Sequence, residues 1–229
     1  MLPSLFRSPI RNLTKRTSVC KAWRLSPLFL VHRVSGQASS TLLHKAIVDD
    51  VTNEVYSLHY DNRTFDEYSK VEFPVSHMGK LSNSHLRVVG TCNGLICLAD
   101  DIFRYGYNFF LWNPAIRKLL KLPVPGFTYR THGGYDARIG FSFDDVTNDY
   151  KVVRIVTLLD DDEKLAVAEV YSLAIGSWTS LGSLAQCQLR GAASQAFVNG
   201  ALRWPALRWG FNGAKYFILT FDVGSQLFG

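Results

Sequence analysis

The stretch Gly90–Pro123, GTCNGLICLADDIFRYGYNFFLWNPAIRKLLKLP, decides the fold. It holds two short apolar runs, Leu95–Leu98 and Phe109–Trp112, and the second runs straight into Asn113-Pro114. Asn before Pro favours a turn and proline cannot donate to a sheet ladder, so the second strand is expected to stop there. Ala115–Leu122 then alternates basic and apolar residues until Pro123. The spacing predicts strand, loop, strand, turn, strand, because the runs are too short and too punctuated for a helix.

The same pattern recurs. A first unit spans Lys45–Val75 around a central strand Glu54–Leu58, and the quoted stretch is the second. A third runs from Ile139 to Leu181, and a fourth from Ala193 through Trp204 to Asp222. Glu54-Val-Tyr-Ser-Leu58 returns letter for letter as Glu169-Val-Tyr-Ser-Leu173. The landmarks Tyr56, Trp112, Tyr171 and Phe221 lie 56, 59 and 50 residues apart, each followed by a turn and another short apolar strand. A period of about 50 residues carrying about four short strands is the mark of kelch-type β-propeller blades. The fold class is therefore mostly β: an incomplete kelch-like β-propeller of about four blades, preceded by a short α-helical segment. Ser225–Gly229 follow the last strand with no obvious closing strand, so the wheel reads as truncated.

Charge separates the helical segment from the rest. The chain carries a net +6, but residues 1–35 hold seven Lys/Arg and no acid, leaving 18 basic against 19 acidic residues in 36–229. The large domain thus has no electrostatic footprint for nucleic acid. No apolar run is long enough to span a membrane. Within 1–35, Ile10 and Leu13 are three apart and Val19 and Trp23 four apart, a helical stripe with Arg11, Lys15, Arg16 and Lys21 largely off it. Ser26-Pro27 ends the pattern. A basic, acid-free start also suits a targeting peptide, but Pro3, Pro9 and Pro27 and the compact VCKAW cluster oppose that reading. The domains are therefore 1–35, helical, and 36–229, β-repeat.

No catalytic constellation emerges. Cys20, Cys92, Cys97 and Cys187 have no metal spacing and read as reduced; Cys92 and Cys97, five apart on a strand, should face opposite ways. The acids at Asp144-Asp145 and Asp160–Glu163 fall in predicted turns, where solvated tips are the ordinary outcome. Gly133-Gly134 beside His132 lies in a connection and not between a strand and a helix, so it is a loop and no phosphate cradle. No cofactor is implied and the chain is not expected to be an enzyme. Trp112 and Trp178 occupy matching late-blade positions and should pack between blades. The loops Asp101–Tyr107, Thr128–Asp136 and Trp204–Gly213 are rich in Tyr, Trp, Arg, Gly and Asn, which suits protein recognition. Their candidate contact residues are Arg104, Tyr105, Tyr107, Tyr129, Arg130, Trp204, Arg208 and Trp209.

Several words also resemble a known family. Pro9-Ile-Arg-Asn-Leu13 and Val19-Cys-Lys-Ala-Trp23, with Pro27-Leu-Phe29 after them, resemble the second half of a plant F-box. Cys92–Cys97, Trp112–Lys118, Gly140–Asp144 with Asp149–Val153, Val170–Leu173 with Ser177-Trp178, Val198–Ala201 and Ile218–Asp222 look like its F-box-associated, kelch-like domain. The resemblance implies a substrate receptor of an SCF-type ubiquitin ligase, acting in the cytoplasm or nucleus. Pro9, Ile10, Leu13, Val19, Cys20 and Trp23 match the F-box pattern that docks a Skp1-like adaptor, and the β domain would capture an unidentified protein. The alternative is a β-repeat protein that holds a partner and recruits no ligase.

Overall fold

The computed structural model describes residues 41–48, 53–60, 63–64, 66–71, 86–100, 108–113, 116–159, 166–184, 187–189, 195–210 and 213–229. They form four antiparallel sheets in chain order. The first holds β1 (Thr41–Val48), β2 (Asn53–Tyr60) and β3 (Glu67–Val71). The second holds β4 (Arg87–Cys92), β5 (Leu95–Asp100), β6 (Asn108–Asn113) and β7 (Lys118–Lys121). A single helical turn, α1 (Tyr129–His132), precedes the third sheet of β8 (Tyr135–Asp144), β9 (Asp149–Leu158), β10 (Ala166–Ser172) and β11 (Ser177–Leu184). In the fourth, β12 (Gln188–Leu189) and β13 (Ala196–Val198) both pair with β14 (Ala201–Gly210), followed by β15 (Gly213–Asp222) and β16 (Leu227–Phe228).

The repeat seen in the letters is a repeat of one hairpin. Trp112 pairs with Leu119, Tyr171 with Trp178 and Phe221 with Phe228, each seven residues on. One residue after each landmark, a side chain accepts from the amide three residues further: Asn113 Oδ1 from Ile116 at 3.4 Å, Ser172 Oγ from Ile175 at 3.1 Å, Asp222 Oδ1 from Ser225 at 2.7 Å. Five residues after each landmark the backbone turns left-handed, at Arg117, Gly176 and Gln226, with φ of 51°, 78° and 59°. The local cap supports a φ that Arg and Gln ordinarily avoid. The first hairpins of the second and fourth sheets repeat as well, through Asn93-Gly94 and Asn199-Gly200, both residues at positive φ as a two-residue hairpin loop requires.

From the second sheet to the fourth, each packs its face on the next. Val89, Cys97, Phe109 and Leu111 of the second sheet meet Phe141, Tyr150, Val152 and Tyr171 of the third in one buried cluster. The opposite face of the third, with Val153, Ile155, Ala168 and Val170, meets Leu202, Trp204, Leu219 and Phe221 of the fourth. Strands β5, β6 and β10 are consequently buried along their whole length, not on alternate residues. This is the face-to-face succession of propeller blades.

Several expectations need correction. Leu227-Phe228 does close the fourth sheet, pairing with Asp222 and Phe221. Two residues form this strand, too few for an apolar run to register. Cys92 and Cys97 do not face opposite ways: the Asn93-Gly94 turn separates them onto β4 and β5, and both join the same cluster. Trp178 matches Leu119 in register, not Trp112. It still packs between sheets, with its ring 5.4 Å from Phe109 and its Nε1 donating to the Pro123 carbonyl at 2.8 Å. Trp112, fully buried, packs on the other face of its own sheet with Leu86, Ile96, Leu98 and Phe110. Asp144 is no solvated tip, being 3% exposed at the end of β8.

Candidate partner-binding surface

Antiparallel order sorts the connections between two ends of the sheets. The tight hairpins at Asn93-Gly94, 145–148, Asn199-Gly200, 173–176 and 223–226 share one end. The links β5–β6, β9–β10 and β14–β15, and those leading from one sheet to the next, join strands at the other. The expected contact loop Thr128–Asp136 lies at that second end, as does the end of β14 within Trp204–Gly213; Asp101–Tyr107 lies outside the described residues.

Of these, the connection from β7 to β8 is described in full, and it rests on a buried ion pair. Arg154 is completely buried midway along β9 and Glu169 stands beside it on β10, with Nη1 to Oε1 at 2.7 Å. The same Nη1 donates to the Phe127 carbonyl at 2.5 Å, and the Gly126 amide donates to Glu169 Oε2 at 2.9 Å. The guanidinium face stands 4.8 Å over the Tyr135 ring, while its Nε and Nη2 are buried without a hydrogen-bond partner among the described residues. A buried pair of this kind adds little net stability against an apolar substitute, yet it holds a loop in register. Above it, Thr131 Oγ1 accepts from the Thr128 amide at 3.0 Å and contacts His132 Nδ1 at 2.7 Å, while the Phe127 and His132 rings are 4.6 Å apart. The turn so fixed presents Tyr129, 49% exposed, and Arg130, also exposed.

A second buried pair pins the third sheet to the fourth. Lys151 Nζ meets Asp144 Oδ2 at 2.6 Å and donates to the Val223 carbonyl at 3.0 Å. Burial would raise the Asp144 pKa, but donation from Lys151, the Thr147 hydroxyl and the Val146 amide, together with the Lys151 charge, holds it below the ordinary value. Asp222, at the neighbouring turn, is lowered chiefly by the Ser225 amide and hydroxyl. Burial pushes the Cys187 thiol up, the Arg208 charge opposing it, which makes it a poor nucleophile.

The expected contact residues divide. Tyr129 and Arg130 are presented as the loop reading requires. Arg208 is exposed near the end of β14, its guanidinium 5.5 Å over the Phe217 ring. Trp204 is not a surface residue: it is 1% exposed and lies in the core between the third and fourth sheets. Trp209 is in β14 opposite Ala214, so the expected loop Trp204–Gly213 is mostly strand. Pro205 suggested a loop because it cannot donate to a ladder. It is tolerated because β12 reaches only Ala206 and Leu207 and β13 only Ala201–Arg203, so that among the described residues no strand needs its missing N–H on that edge. Arg104, Tyr105 and Tyr107 lie outside the described residues, as do Pro9, Ile10, Leu13, Val19, Cys20 and Trp23.

Sequence reasoning missed Arg154, Glu169, Lys151 and Asp144. The signal for Lys151, Arg154 and Glu169 was charge within otherwise apolar strands, in Tyr150–Thr157 and Ala166–Leu173; Asp144, at the end of β8, had none. It also missed Gln195, whose amide clamps β8 by accepting from the Phe141 amide at 2.7 Å and donating to the Phe141 carbonyl at 3.0 Å. Beside it opens a cavity of about 350 Å³ lined by Val88, Gly90, Cys92, Phe141, Gln195 and Phe197. Its lining mixes apolar side chains with the Gln195 amide, the Cys92 thiol and the Thr91 hydroxyl.

Comparison with known proteins agrees with this architecture. Residues 47–229 match the F-box associated beta propeller domain. An F-box/kelch-repeat protein of Arabidopsis thaliana is 27% identical over 233 residues, covering 98% of this chain and 61% of its own length. An Arabidopsis F-box protein is 27% identical over 218 residues, covering 86% of this chain and 51% of its own length. The Arabidopsis F-box protein CPR1 is 30% identical over 169 residues, 68% of this chain and 36% of its own. The chain thus spans between about half and three fifths of the first two relatives, and less of the third.

Proposed function

The chain belongs to the F-box associated β-propeller family, and from that membership we propose that it is the substrate-recognition subunit of an SCF-type ubiquitin ligase. Residues 1–35 dock a Skp1-like adaptor through Pro9, Ile10, Leu13, Val19, Cys20 and Trp23. The end of the sheets that carries Tyr129, Arg130 and Arg208 captures the protein to be modified. The observation that carries the reading is the reach of the similarity: a protein named for its F-box matches 98% of this chain, through the basic N-terminal segment as well as the sheets. In this role the chain does no chemistry. It raises the target's effective concentration beside the transferase, in the cytoplasm or nucleus.

The test is co-purification of the full chain with a Skp1-like adaptor. Binding is expected, with loss in a Leu13→Asp, Val19→Asp variant and retention in Tyr129→Ala, Arg130→Ala. The latter pair should instead lower ubiquitination of a captured target. No adaptor binding by the unmodified chain would remove the ligase reading. One observation favours a second reading, a partner-binding protein that recruits no ligase: Ser8 stands where an F-box usually has leucine before Pro9, and Arg16 occupies a usually apolar place. That protein would bind its partner through the same loops without an adaptor.

A further inference from the structure

The cavity beside Gln195 opens where three sheets meet, at the unshared edges of β4 and β8. Each of these strands has a partner on one edge and, among the described residues, no strand on the other. On β8 that edge is already served. The Gln195 carboxamide accepts from the Phe141 amide and donates to the Phe141 carbonyl, as a neighbouring strand would. Two glycines make room for it: a Cβ at Gly90 would stand 2.8 Å from Gln195 Nε2, and one at Gly140 2.5 Å from Oε1. On β4 the cavity stands in the place of such a partner. Cys92 and Leu95 flank a two-residue hairpin loop and exchange hydrogen bonds, so Thr91, one residue earlier, turns its N–H and C=O away from β5. Thr91 is exposed and lines the cavity. The far wall is Phe197, opposite Leu202 on the face of the fourth sheet that packs on the third. Phe197 is nonetheless 45% exposed, and its surface forms part of the cavity.

We propose that this cavity is a peptide-binding site. An extended segment of a partner protein pairs one residue with Thr91 and turns the next side chain, an apolar one, between Phe141 and Phe197. The lining offers both halves of what such a segment needs: main-chain groups at Thr91 for its backbone, and Val88, Phe141 and Phe197 for its side chain. A volume of about 350 Å³ lies at the small end of ligand sites, enough for one large side chain and the backbone that carries it. A purely apolar small molecule would leave the Thr91 N–H and C=O to water, so the edge favours a peptide. The segment would do for β4 what Gln195 does for β8. The proposal rests on the partner-capturing role given to the sheets and not on adaptor docking. Its test uses the full chain alone, so its failure would leave the adaptor test untouched.

The probe is acetyl-Thr-Leu-Thr-amide, and the readout is alkylation of Cys92 by N-ethylmaleimide, located by peptide mapping. Cys92 is half-buried in the cavity wall, while Cys97 and Cys187 are buried and serve as references. The peptide should slow Cys92 labelling about tenfold at saturation, with half-protection between about 10 µM and about 1 mM. The same peptide with glycine for leucine, or N-methylated at both threonines, should not protect. Phe197→Lys should lose protection, whereas Val198→Lys, beside it on the opposite face of β13, should keep it. Thr91→Pro removes an N–H that faces away from β5 and should weaken binding about tenfold or more; if that variant does not fold, the N-methylated peptide makes the same test. No protection by the leucine peptide up to about 10 mM would overturn the proposal. So would equal protection by the glycine or N-methylated peptide, undiminished protection in Phe197→Lys or in a folded Thr91→Pro, or better protection by toluene than by the peptide.

Discussion

The third and fourth sheets have the same strand order and the same capped hairpin, yet they are built to different rules. In the third, β9 and β10 are covered on both faces, and their buried charges are held by partners: Arg154 by Glu169, Lys151 by Asp144, and Asp149 by Ser172. In the fourth, β15 alternates buried with exposed residues from Phe217 on, as a half-buried strand does. The difference teaches that a blade's burial is set by its neighbours and not by its own sequence pattern. Substitutions at matched positions should therefore differ sharply in cost.

The largest effect is expected at the boundary between the two. Trp204 is the bulkiest fully buried side chain of the fourth sheet, and Trp204→Ala should cost about 3–5 kcal/mol in chemical denaturation. Asp144→Ala should come next, at about 3 kcal/mol, because it strands the buried Lys151 with only the Val223 carbonyl. Replacing both with apolar residues should recover most of that loss. A double variant as unstable as the single would show that the pair itself, and not the orphaned charge, carries the energy.

Gly140→Ala is smaller, about 1–3 kcal/mol as an overpacking change. A Cβ there would stand 2.5 Å from Gln195 Oε1, 2.7 Å from Trp204 Cζ2 and 2.8 Å from Leu202 Cδ1, all from the fourth sheet or its approach. The same substitution paired with Gln195→Ala should cost less than the two singles together, since the closest obstacle is then removed.

The acid side sharpens the comparison further. The bonds from Lys151, Thr147 and Val146 hold the Asp144 carboxyl below the ordinary carboxylate range, so its contribution is complete above the unfolded pKa and disappears as pH falls through the lower folded value. Thermal stability measured from pH 5 downward should decline less steeply in Asp144→Asn than in the unmodified chain. Asp222 shifts in the same direction but is exposed, and its removal should change the slope little.

Much of this was legible in the letters, and what was not has physical causes. The landmark spacing announced the second to fourth sheets because each solves the same packing problem with the same hairpin; Tyr56, in the repeated EVYSL, pairs instead with Val71, fifteen residues on. Trp204 was misplaced because Pro205 speaks for a loop unless the neighbouring strand is known to be interrupted. Asp144 looked like a turn tip because its partner Lys151 sits across a hairpin, where spacing alone reveals no ion pair. Tyr129 and Arg130 were expected to be exposed because a Gly-rich, aromatic connection is a surface signal, and they are exposed; the Arg154–Glu169 pair beneath them was hidden in strands read only as apolar.

The smallest expected effect tests the comparison where the two sheets should part most. Ile218 holds the place in β15 that Ala168 holds in β10, three residues before the landmark. Ile218→Thr keeps a β-branched side chain suited to a strand and removes only exposed apolar surface. It should shift stability by no more than about 0.5 kcal/mol. Ala168→Thr adds a hydroxyl and a methyl to a fully buried site facing Trp204 and its neighbours, and should cost about 1–3 kcal/mol. Equal costs in chemical denaturation would show that Ile218 is packed as closely as Ala168 and that the two strands are not built to different rules.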